Sequence, residues 1–173
     1  MHSPKSVLAV AVMMGAIFSA CGNDELVTVP ESFPKMRVPE DNALTRERVE
    51  LGKRLFFDER LSRTGEVSCA SCHKQENAFA DPRRLSEGVE ARVGTRNAPP
   101  LFNLAWNTSF FWDGGVKTLE QQVIGPIMNP LEMDMQMNDL VRRLNEDDAY
   151  VRQFEGAYDS EPSPEFVTKA LSS

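Results

Sequence analysis

Apolar positions in this chain fall into a few short stripes separated by long polar or irregular stretches. The first stripe follows Thr45: Val49, Gly52, Leu55 and Phe56 recur at three- and four-residue steps. This predicts an amphipathic helix to about Phe57, with Thr45 as its cap and Glu47 in its first turn. Asp58 to Val67 has no such period and is expected to be loop. Thr118 with Gln121 forms a capping box for a short helix, Leu119 to Ile124, which Gly125 and Pro126 are expected to end. After Asn138, Leu140, Val141 and Leu144 share one face, and Asp147 caps a further segment whose Tyr150, Val151 and Phe154 share another before Gly156. Ser163 and Pro164 suit the cap and first turn of a last helix, whose stripe of Phe166, Val167, Ala170 and Leu171 runs out at Ser173. That helix is expected to be cut short, and the chain truncated at its C-terminal end. No β-alternation and no internal repeat occurs. The expected fold class is all-α with long irregular loops, above all the Pro-containing tract Ala78 to Lys117, a length that usually marks function.

The amino-terminal stripe is of another kind. Val7 to Phe18 is continuously apolar, preceded by Lys5 and followed by small Ser19 and Ala20 immediately before Cys21. It is shorter than the ~20 residues needed to cross a hydrocarbon core. The order of features describes a secretory signal over residues 1–20, of the lipoprotein type, with Cys21 as the lipidated residue. Residues 21–43, polar and carrying Pro30, Pro34 and Pro39, read as a tether to a domain over 44–173. The expected location is the periplasm or cell envelope, anchored to a membrane through lipid.

Composition narrows the classes. A chain of 173 residues with 41% hydrophobic and 26% charged side chains suits one soluble domain, which excludes disorder and collagen-like repetition. A net charge of −7 makes a poor nucleic-acid binder and suits docking to a basic protein.

Export changes the meaning of Cys69 and Cys72, because a thiol pair in an oxidising compartment tends to be oxidised or occupied. Cys69-Ala70-Ser71-Cys72-His73 is a complete CxxCH, the attachment sequence of c-type haem. Two thiols one helical turn apart reach both vinyl groups of one porphyrin, and the adjacent imidazole becomes the proximal iron ligand. A thioredoxin-like pair lacks the βαβ pattern it needs here, a zinc site would be short of ligands, and a plain disulfide needs no histidine. The only other histidine, His2, lies in the signal. The far side of the iron is therefore taken by a methionine (Met128, Met133, Met135 or Met137), giving a mono-haem electron carrier, or is open to peroxide.

The motifs LGKRLFFDERLS (51–62), SCASCH (68–73), RNAP (96–99), FFWDGG (110–115) and LEQQVIGPIMNPLEM (119–133) resemble the peroxidatic N-terminal domain of the bacterial di-haem cytochrome c peroxidases, the family that includes MauG. The resemblance implies a cytochrome c-like haem domain in which Cys69, Cys72 and His73 hold one haem c. It implies that Glu132 is the distal carboxylate that moves the peroxide proton and Gln122 the distal glutamine. It further implies that Trp112 lies between two haems and that Asn97 helps to bind calcium. The activity implied is reduction of hydrogen peroxide to water with electrons from a small cytochrome c or cupredoxin. Oxidation of a protein substrate, as by MauG, is the variant, and a homodimer stays open. Val89 stands where some members carry a removable histidine, so the iron is expected to be open without activation. Gly115 replaces a frequent arginine, and a second CxxCH domain, with its second haem, is missing.

Overall fold

A computed structural model describes residues 26–173, so the predicted signal and Cys21 lie outside the described residues. Six helices carry the fold: α1 (Arg46–Phe57), α2 (Cys69–Cys72), α3 (Leu119–Met128), α4 (Met137–Asn145), α5 (Asp148–Tyr158) and α6 (Pro164–Leu171). Among the described residues only isolated β-bridges occur, and the fold is all-α as expected.

The N-caps follow the sequence closely. Thr45 accepts from the Arg48 N–H, Thr118 from Gln121, Asp147 from Ala149 and Ser163 from Phe166. The C-termini depart from expectation in two places. α3 does not stop at Gly125–Pro126 but runs to Met128, because a proline in the last turn removes one N–H while Asn129 still donates to the Gly125 carbonyl (2.9 Å). α5 passes through Gly156 to Tyr158, and Asp159 takes the left-handed cap position instead (φ 54°). α6 ends at Leu171, and the hydroxyls of Ser172 and Ser173 bond back to the Lys169 carbonyl.

The core is built mainly by α1, α4, α5 and α6, with Ile127 of α3 and Leu61, Val67, Met133 and Met135 added from its margins. Leu51 and Leu55 from α1 meet Leu140, Leu144, Tyr150, Phe154, Val167 and Ala170, all essentially without solvent access. Burial of such side chains stabilises by roughly 1.5–3 kcal/mol each. α1 and α6 cross so closely that a Cβ on Gly52 would lie 2.0 Å from the Ala170 carbonyl oxygen. Asn42, inside the stretch read as tether, is buried at this crossing and donates to the Lys169 carbonyl (2.9 Å). The stretch before it is irregular, and its Phe33 packs edge-on against Trp106 (5.1 Å), whose indole N–H donates to Pro34 (2.9 Å).

Residues 78–117 form the other half of the molecule. They contain short turns only, at Val89–Ala91 and Leu104–Trp106, and their single buried hydrophobic residue is Val89. This half faces α3 across a cavity.

Candidate haem and peroxide site

The cavity has a volume of about 620 Å³, within the ordinary range for a small-molecule or cofactor site. One wall is a single face of α3, on which Leu119, Gln122, Gly125 and Pro126 recur at helical spacing and continue to Asn129 and Glu132. The opposite wall is the irregular tract Gly94–Trp112, and Cys72 and His73 stand at its base. Phe111 joins the two walls: its ring sits where a Cβ on Gly125 would come within 2.7 Å.

α2 carries the two thiols one turn apart: Cys72 lines the cavity, whereas Cys69 packs against the hydrophobic core beside it. Ser68 and Ser71 form a reciprocal capping box that starts this single turn, and His73 ends it with its N–H on the Cys69 carbonyl (2.9 Å). Cys69 and Cys72 are both free. Burial and the neighbouring Cys72 push the Cys69 thiol up to about 12, and burial raises Cys72 as well, so both sulfurs keep their protons. The thiol S–H is the group that adds across a vinyl double bond.

His73 is prepared as a ligand. Its Nδ1 donates to the Phe79 carbonyl (2.8 Å), which fixes the tautomer and leaves Nε2 as the coordinating nitrogen. Burial holds its pKa below the ordinary value, against the Phe79 and Pro99 carbonyls and the Asp81 charge, so the ring is neutral. The carbonyl reaches it because Ala78 and Phe79 both adopt left-handed backbone (φ 55° and 57°), which costs of order 1–3 kcal/mol per residue and has to be held by its surroundings. Two adjacent thiols, a neutral imidazole with a fixed tautomer and a cavity of this size fit haem c.

On the far wall, burial raises the pKa of Glu132, and a 2.7 Å bond from Asn129 Nδ2 to Oε1 opposes the rise. The turn carrying Glu132 is strapped from behind. Val89 donates its N–H to the Glu132 carbonyl (2.8 Å), and Gly88 lies so near that a Cβ there would be 2.4 Å from the same oxygen. Arg92 bonds Pro130 (3.0 Å) and Asp134 (3.1 Å), Arg63 pairs with Asp134 (2.9 Å) and Glu90 (2.8 Å), and Glu90 also pairs with Arg92. Val89 itself is in the core, without solvent access, and offers the cavity no ligand.

Gln122 and Trp112 line the same cavity, as does Asn97. Trp112 is 64% exposed, and its indole N–H donates to the Asn97 carbonyl (2.9 Å). The Asn97 side chain donates to the carbonyls of Arg83 (2.8 Å) and Asp81 (3.4 Å). Among the described residues no group of three or more His, Cys, Asp or Glu could hold a metal ion. Gly115 donates its N–H to Asp113 (3.1 Å), whose partner is Arg96 (3.0 Å).

None of Met128, Met133, Met135 and Met137 lines the cavity. Met133 and Met135 are 3% exposed and belong to the core, and Met137 packs against it. Sequence reasoning overlooked Asn129, the Phe79 carbonyl and Gly88. Asn129 stood in plain view three residues before Glu132, whereas a backbone carbonyl leaves no sequence signal.

A CxxCH turn beside a cavity in an all-α domain, with a half-buried carboxylate lining the same cavity, is the arrangement of a c-type haem domain. More particularly, the chain belongs to the di-haem cytochrome c peroxidase family, whose model matches residues 46–173. It is 44% identical over 82% of its length to the methylamine utilization protein MauG of Methylorubrum extorquens, covering 40% of that protein. It is 36% identical over 83% of its length to the cytochrome c peroxidase Ccp of Escherichia coli, covering 32% of it. A crystal structure of a MauG-like protein associated with microbial copper homeostasis superposes with a TM-score of 0.77, at 38% identity, over 83% of this chain and 44% of that one. The chain thus spans less than half the length of these relatives.

Proposed function

We propose that this chain is the peroxide-handling half of a haem peroxidase that reduces hydrogen peroxide to water with electrons from a small cytochrome c or cupredoxin. The observation that carries the reading is Glu132: a half-buried carboxylate with a raised pKa, fixed by Asn129 and by the strap at Gly88–Arg92, lining the same cavity as His73. Haem c, when bound through Cys69 and Cys72, supplies an iron centre that binds peroxide and stores oxidising equivalents.

The chain's own residues do the rest. His73 supplies the proximal nitrogen, with Nδ1 held on Phe79. Glu132 accepts the proton of the near peroxide oxygen on its carboxylate and returns it to the departing oxygen. A carboxyl whose pKa is raised above the usual carboxylate range serves both steps. Gln122, on α3 ten residues before Glu132 and lining the same cavity, holds the bound oxygens by its amide, and the apolar residues Leu101, Leu104 and Phe110 limit access of water. Trp112, at the rim and largely exposed, is the entry point for electrons, from a second haem domain or from a docked partner. Calcium at Asn97, a second haem in the remainder of the protein, export to the periplasm or envelope, and anchoring at Cys21 belong to the same reading, as does homodimerisation.

A mono-haem carrier is disfavoured because the candidate methionines lie outside the cavity. Oxidation of a protein substrate is the second reading; the exposure of Trp112 at the rim favours it, since a large substrate cannot enter a cavity of about 620 Å³. The deciding experiment is single-turnover reaction of the haem-loaded protein with hydrogen peroxide, wild type against Glu132→Gln. Loss of a general acid–base group slows this step by about 10²–10⁴-fold. An unchanged rate removes the assignment.

A further inference from the structure

Between the rim tryptophan and the proximal histidine lies one side chain that touches the supports of both. Trp112 Nε1 donates to the Asn97 carbonyl (2.9 Å), and Asn97 Nδ2 donates to the Arg83 carbonyl (2.8 Å) and, more weakly, to that of Asp81 (3.4 Å). Both acceptors are carbonyl oxygens, so only the NH₂ end of the amide can face them. Residues 81–83 directly continue the left-handed Ala78–Phe79 turn whose carbonyl orients His73. That short loop is braced from its other side as well. The Asp81 carboxylate, with a side chain 0% exposed, takes the Arg83 backbone N–H (2.9 Å) and the Arg83 guanidinium (3.0 Å).

A strained turn keeps its conformation only where neighbouring groups over-determine it. Here the Lys74–Ala80 bridge holds the turn at one end and Asn97 holds the loop leaving it at the other. We propose that Asn97 is a positioning residue for His73: through its amide N–H it ties loop 81–83, and with it the Phe79 carbonyl, to the backbone on which Trp112 is anchored. A change in the setting of the Trp112 ring is then felt at the proximal ligand, and the amide donor rather than the amide oxygen is the active end. This rests on the reading of His73 as proximal ligand, and it does not require the peroxide activity.

The test uses the full-length haem-loaded protein and the iron–histidine stretching band of its ferrous form by resonance Raman spectroscopy, with Asn97→Asp, Asn97→Ala, Asn97→Gln and Trp112→Phe. Asn97→Asp keeps an oxygen for a cation but sets a carboxylate against two carbonyls. The expected result is a shifted or broadened band in Asn97→Asp and Asn97→Ala alike, partial recovery in Asn97→Gln, and a smaller shift in Trp112→Phe. A wild-type band in Asn97→Asp overturns the proposal. If the Asn97 variants fail to fold, Trp112→Phe decides on its own, since an exposed ring is tolerant of substitution and an unmoved band there refutes the coupling. Peroxide turnover measured on the same samples reports separately on the peroxidase reading: a protein that turns over peroxide with an unmoved band loses only the Asn97 assignment, and a moved band without turnover loses only the activity.

Discussion

Glu132 is balanced between burial, which raises its pKa, and the Asn129 amide, which lowers it, and the balance can be tipped by one substitution. Asn129→Ala removes the 2.7 Å bond to Oε1. A hydrogen bond to a charged group contributes about 1.5–3 kcal/mol, and one pKa unit corresponds to about 1.4 kcal/mol. Partial access of water to the cavity trims the larger figure, and with the opposing hydrogen bond gone the carboxyl should rise further above the usual carboxylate range. Asn129→Asp retains an oxygen for the Leu131 N–H, which Asn129 now satisfies at 3.0 Å, but places a second carboxylate against the first. The rise should then be larger, because like charges at that separation cannot both ionise freely. Glu132 must be ionised to accept the first proton. Activity therefore falls as pH drops through its pKa, and a raised pKa carries the acid limb of the kcat/KM profile for peroxide upward by the same amount. Single-turnover kinetics across the acid limb measures this without interference from electron delivery. An acid limb that stays in place in both variants, or that moves downward, refutes Glu132 as the base.

Two further outcomes concern the scaffold. Burial tends to raise the Asp81 pKa, but the Arg83 side chain and backbone and the Ser86 hydroxyl more than offset it and hold the group down at about 2. The stability this contributes is present above the unfolded value of about 3.9 and is lost as pH falls through about 2, so Asp81→Asn should flatten acid unfolding in that window by about 1–2 kcal/mol, read by circular dichroism. Gly52→Ala drives a methyl group to 2.0 Å from a backbone oxygen of α6, which neither helix can absorb without separating. A loss of about 2 kcal/mol or more is expected in denaturant unfolding, and a neutral result would show that the crossing is looser than described.

Most of the helices could be read from the sequence because their starts are written in side chains: Thr45, Thr118, Asp147 and Ser163 each bond the backbone they were expected to cap. Their ends were harder, since Gly125, Pro126 and Gly156 permit termination without demanding it. The continuing ladder at Asn129 and the left-handed Asp159 decided the outcome. In the site, the CxxCH turn is a local motif and was fully legible. Gln122, Trp112, Asn97 and Glu132 followed from resemblance, and the structure gathers all four around one cavity. Nothing local signals the strap of Gly88 and Val89 on Glu132, because it joins segments some forty residues apart through backbone groups. The core role of Met133 and Met135 was likewise invisible, since a methionine serves packing and ligation with the same side chain.

The division of the molecule into a helical part and a loop-walled part bears on where a bound cofactor matters for stability. α1, α4, α5 and α6 supply nine of the fifteen buried hydrophobic side chains, and α3 with the turn after it adds Ile127, Met133 and Met135, whereas the tract 78–117 contributes Val89 alone. A haem c held in the cavity would supply, on that side, the apolar contact that the tract itself lacks, so the stability of the loop-walled part is tied to the cofactor more closely than that of the helices.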